Sequence, residues 1–130
     1  CALPIFEAAS NPALQSGSNS IADYVPAGVV PDFTFITDPS EAHLAYSPEG
    51  ADIAVRFQDA GSVCGVVGSD TPNRCFDGLS TSPVEILRRT SPNHPDGSTS
   101  TIRFTVGIGG TINVPEGVYV ATTTITALPL

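Results

Sequence analysis

The chain has 130 residues, 41% of them hydrophobic and only 14% charged, and its 13 acidic against 5 basic residues give a net charge of −8. All five basic residues are Arg (Arg56, Arg74, Arg88, Arg89, Arg103), which excludes Schiff-base or phosphate-binding lysine chemistry and an intramolecular Lys–Asn isopeptide link. Without a basic patch to displace counterions, neither nucleic acid nor an anionic bilayer surface is a partner. The length suits one core, and 13 Ser with 13 Thr supply a neutral polar coat that fits a pleated surface. No run reaches the ~18 consecutive apolar residues of a membrane-spanning helix.

Cys1 leads the chain, and two uses fit an odd thiol there. Lipoprotein processing leaves a mature N-terminal Cys followed by a small residue such as Ala2, giving a lipid anchor. An intermolecular disulfide in an assembly is the other use. Residues 1–31 contain Pro4, Pro12, Pro26 and Pro31, which break any helical period and push the preceding residues towards extended conformations. The segment reads as an extended N-terminal arm. Its candidate subunit-contact residues are Leu3, Ile5, Phe6, Tyr24, Val25, Val29 and Val30, expected to pack on another copy of the chain.

Residues 32–130 break into short apolar runs separated by turn residues, the pattern of an all-β domain. The run 33–36 opens it, and His43 follows in a connector. Ile53, Val55 and Phe57 alternate with polar neighbours, which places one apolar face on a half-buried strand. A strand over 63–67 carries Cys64. Cys64 and Cys75 flank a Gly- and Pro-bearing loop and are expected to form a disulfide, since closing so short a loop stabilises by ~2–3 kcal/mol. An oxidising compartment follows, extracellular or cell-surface. Asp59, Asp70 and Asp77 bracket this loop without the Asp-x-Asp spacing of a Ca²⁺ site, and read as a solvated acidic loop. The run 84–89 is a weaker strand candidate, and 91–98 is a turn. The clearest strand is 101–108, where Ile102, Phe104, Val106 and Ile108 share a face expected to join Ile53, Val55 and Phe57 in the core. Gly107, Gly109 and Gly110 relax or bulge its end. Pairing resumes at 111–114, Pro115-Glu116-Gly117 turns, and 118–128 is the longest strand signal.

The stretch Thr111-Ile-Asn-Val-Pro-Glu-Gly-Val-Tyr-Val-Ala-Thr-Thr-Thr-Ile-Thr-Ala127 resembles the closing hairpin of bacterial and archaeal extracellular Ig-like sandwiches, pilin-like and surface-layer-associated domains among them. In those domains a Pro-containing turn and a Gly-x-Tyr lead into an alternating, Thr-rich final strand. Gly117, Tyr119, Thr122, Thr124 and Thr126 hold the matching positions. The resemblance implies an Ig-like antiparallel β-sandwich and supports fold and compartment rather than a job.

Motifs that carry chemistry are missing. There is no Gly-x-Ser-x-Gly, His-Glu-x-x-His, P-loop or dinucleotide fingerprint. His43 and His94 stand at no zinc-ligand spacing to each other or to the cysteines, and each reads as a loop residue. With no Trp, a sugar-stacking platform for glycoside cleavage is lacking. The expectation is therefore no enzyme, no cofactor and no metal. The chain reads as a structural subunit of an extracellular, pilus-like filament or surface array, a homopolymer in which the arm of one copy completes the sheet of the next. The alternative is a monomeric adhesin-like or ligand-binding surface module that uses the loops 65–74 and 91–98.

Overall fold

The structure, a computed structural model, describes residues 2–92 and 97–129. Its elements are β1 (Ala2–Ala8), β2 (Leu14–Ser16), β3 (Asn19–Asp23), β4 (Ala42–Glu49), β5 (Asp77–Gly78), β6 (Val84–Glu85), β7 (Thr101–Ile108) and β8 (Thr123–Pro129), with a 3₁₀ turn at Val55–Phe57. The described residues contain no helix long and apolar enough to cross a membrane. The fold is all-β, in two sheets.

In the first sheet β1 lies between β6 and β8, antiparallel to both. The second has β4 at its centre. β7 runs antiparallel along the whole of β4, from Ala42 opposite Ile108 to Glu49 opposite Thr101. The other edge of β4 is shared end to end. There β3 pairs in parallel at His43 and Leu44, and β5 pairs antiparallel at Ala45 and Tyr46. β2 then hairpins onto β3. The parallel β3–β4 pair makes this sheet mixed rather than antiparallel.

β4 explains where the core sits. Ala42, Leu44 and Tyr46 point into the main core, while Ala45 points the other way, into a smaller cluster with Tyr24 and Phe76 under Phe35. Both faces are apolar, so the strand shows no alternation in its sequence. Phe6 of β1 stacks on Tyr46 with ring centroids 4.8 Å apart, and Tyr46 on Phe57 at 5.6 Å, joining the two sheets through the 3₁₀ turn.

Several expectations are corrected. Residues 1–31 are not an arm separate from the domain: β1 is the central strand of its sheet, and β2 and β3 belong to the other. Pro4 is tolerated because it lies just past the two-residue pairing of β1 with β6, where no donor is required, while its carbonyl accepts a bond from the Ile86 amide at 3.2 Å. The run 33–36 makes only a neighbouring bridge, Asp32 to Phe76. Around Ile53 the two-residue period gives way to the 3₁₀ turn, which buries Ile53 and Phe57 and leaves Val55 exposed. Runs 63–67 and 111–114 are not strands, and the last strand begins at Thr123 rather than 118. His43 sits in β4, not in a connector.

Candidate functional site

Three places concentrate chemistry. The first is the loop closed by the Cys64–Cys75 disulfide, whose Cα atoms are 5.7 Å apart. Asp59, which precedes the loop in sequence, organises it. Its backbone exchanges two bonds with Ser69 (2.8 and 2.9 Å). Its buried carboxylate accepts from the Gly61 amide at 2.8 Å, the Thr71 amide at 2.9 Å and the Thr71 hydroxyl at 3.0 Å. Burial pushes this carboxyl up, but the donated bonds and the Arg74 charge prevail and hold it below the usual range. Asp77 is also buried, under the Arg56 guanidinium, which reaches one of its oxygens at 2.6 and 3.0 Å. Asp70 is pushed up by burial while accepting from the Gly50 amide. The expected solvated acidic loop is thus corrected: two of its three carboxylates are buried and bonded, because a 3₁₀ turn and a short strand fold the loop back on the core.

The second place is a cavity of about 260 Å³ with Tyr24, Asp32, Ile36, Asp38, Glu41 and His43 in its wall. The Tyr24 hydroxyl donates to Asp32 at 2.6 Å, and the Ala27 amide donates to the same oxygen at 3.0 Å. Burial, helped by that acceptor and its charge, pushes the tyrosine up to about 12. The Nδ1 of His43 is buried without a hydrogen bond, 3.9 Å from a Glu41 carboxylate oxygen.

The third is the side of the molecule where β7 and β8 end their sheets. The Gly109 amide donates to the Glu41 carbonyl at 2.8 Å. Antiparallel ladders alternate, so the odd-numbered residues of β7 bond to β4. The backbone groups of Ile102, Phe104, Val106 and Ile108 therefore point outward. By the same rule the bond from the Ala9 amide to the Thr122 carbonyl (2.9 Å) leaves those of Thr123, Ile125 and Ala127 facing away from β1. Among the described residues no strand pairs with either free edge. Phe104, Val106 and Ile108 are 47%, 45% and 57% exposed, and Ile125 58%. Between them lies a hollow of about 280 Å³ lined by Leu14, Leu44, Phe104, Val106, Ala121 and Thr123. The expected burial of the β7 face is corrected accordingly: Phe104 reaches Phe6 at 6.1 Å, but among the described residues no strand covers the side beyond it. Gly107 in β7 and Gly109 just after it serve close approach rather than a bulge, whereas Gly110 faces open space. A Cβ at Gly107 would strike Thr37 and Phe35, and one at Gly109 the backbone of Asp38 and Pro39.

The arm residues disperse. Ile5 and Phe6 lie in β1, with Phe6 in the core, and Tyr24 is buried in the smaller cluster. Val30 packs over Gly65, whereas Val25 and Val29 are exposed. Leu3 pairs through its backbone with Leu128; Cys1 and His94 lie outside the described residues. Sequence reasoning missed the open edge of β7 because the alternating pattern shows which side chains share a face, not whether a strand follows beside them. Comparison with family models, curated proteins and solved structures gives no match.

Proposed function

We propose that the chain is a non-enzymatic structural subunit of an extracellular filament or surface array, an Ig-like sandwich that assembles with copies of itself by adding strand to strand. The observation that carries this reading is the pair of free strand edges with exposed Phe104, Val106, Ile108 and Ile125 beside them. Proteins that stay apart blunt such edges with charge, proline or a covering loop. Here no charged residue occurs between Phe104 and Pro115, and none follows Glu116. The disulfide supports an oxidising compartment. Because β1 fills its own sheet, strand addition in this reading uses the open edges rather than residues 1–31. Size-exclusion chromatography with light scattering, followed by negative-stain microscopy over a concentration series, tests it. Oligomers or filaments are expected. A monomer at every concentration contradicts it and favours a surface module that binds a ligand, for which the Tyr24–His43 cavity is the supporting observation.

A further inference from the structure

We propose that the free edge of β7 is the docking strand for a second copy of this chain, two β7 strands pairing antiparallel across a two-fold axis. The inference rests on the self-assembly reading and names one of its surfaces: a two-fold pairing closes a dimer, and growth beyond it uses the other open edge, that of β8. β7 is eight residues long, free of proline, and its outward backbone groups belong to the residues with apolar side chains, Ile102, Phe104, Val106 and Ile108. A strand added there both satisfies the backbone groups and lays its own side chains over the hollow above Leu14 and Leu44. The sequence is self-complementary in that register. With the axis at Thr105, Phe104 faces the second copy's Val106, and Ile102 faces its Ile108. Arg103, the one charge on the strand, is held by Glu49 at 2.9 Å and falls opposite a glycine, Gly107, so no like charges meet.

Charge and the self-complementary register favour a second copy as the occupant. At a net charge of −8 copies repel least where acidic charge is absent or neutralised: the β7 side chains Ile102, Phe104, Val106 and Ile108 are uncharged, and the neighbouring Glu49 is paired with Arg103.

Amide hydrogen exchange on the full chain at low and high protein concentration tests the assignment. The amides of Arg103, Thr105 and Gly107, bonded to β4, are expected to be protected at both. Those of Phe104, Val106 and Ile108 should slow by about tenfold or more only at high concentration. Val106→Lys should abolish both that slowing and the self-association, while Val29→Lys, on an exposed loop valine away from β7, should leave both intact. If Val106→Lys fails to fold, exchange on the unaltered chain decides alone. Association with fast exchange at Phe104, Val106 and Ile108 would overturn the β7 assignment while leaving self-assembly standing. No association at any concentration would overturn both.

Discussion

Asp59 shows how much of this fold depends on a single carboxylate. Its three accepted bonds hold the turn at Gly61 and the strand-like return at Thr71. Asp59→Ala leaves those donors without a partner in a buried place and is expected to cost ~3 kcal/mol in urea denaturation. The pH dependence follows in sign. Asp59, Glu49 (bonded to Arg103) and Asp52 (bonded to Ser98 and Arg89) are held below their ordinary values. Their ionised forms stabilise the fold above the unfolded carboxylate range, and that contribution is lost as pH falls through the lowered folded values. Asp23 and Asp70, raised by burial, act in the opposite sense, and protonating them in acid relieves a penalty. Asp59→Asn should remove the acid-labile part that Asp59 contributes, so its melting temperature should fall less between neutral pH and pH ~3 than that of the unaltered chain, measured by thermal melts across that range. Aromatic truncations separate core from edge: Phe6→Ala is expected to cost ~3–5 kcal/mol, as buried aromatic losses do. Phe104→Ala, half in water already, should cost ~1 kcal/mol, measured in the same denaturant series.

Among elements, β1 carries the most consequence for its length. It pairs with β8 through seven residues and with β6 on its other side, and it delivers Phe6 to Tyr46. Deleting residues 1–8 should therefore abolish cooperative unfolding by circular dichroism, leaving β6 and β8 without a partner. A cooperative melt in the truncated chain would show that the strand is dispensable. How far these elements were legible depended on how each is covered. β7 announces its bounds because one face is apolar and the other carries Thr and Arg, a period-two contrast. β4 does not, because Ala45 and Tyr46 are both buried, on opposite faces, and Ser47 and Pro48 are buried beside them. β1 was misread because its proline counts against a central strand unless the missing donor falls past the end of a two-residue neighbour, which only the tertiary pairing reveals. The short alternating run at Ile53 was ambiguous for a similar reason: Ile53 and Phe57, four apart, fit a tight helical turn as well as a strand. Of the candidate sites, the Cys64–Cys75 spacing was legible from loop length and turn residues. The open edge was not, since it is defined by the absence of a neighbour.

At the scale of the molecule, the account holds that residues 2–23 complete their own domain and that the unfinished side is the one bounded by β7 and β8. The same strands could in principle satisfy the same pairings by exchange between copies, and one measurement distinguishes the two. Glu7 of β1 and Thr124 of β8 stand directly opposite each other. Opposed residues in an antiparallel pair have Cα atoms ~4.5–5.5 Å apart, within disulfide reach. In a chain carrying Glu7→Cys, Thr124→Cys and Cys1→Ser, oxidation should link β1 to β8 within one chain. The account predicts a single band at monomer mass on a non-reducing denaturing gel, even from samples that associate in solution. A ladder of covalent oligomers would contradict it, showing that β1 is lent to a neighbouring copy.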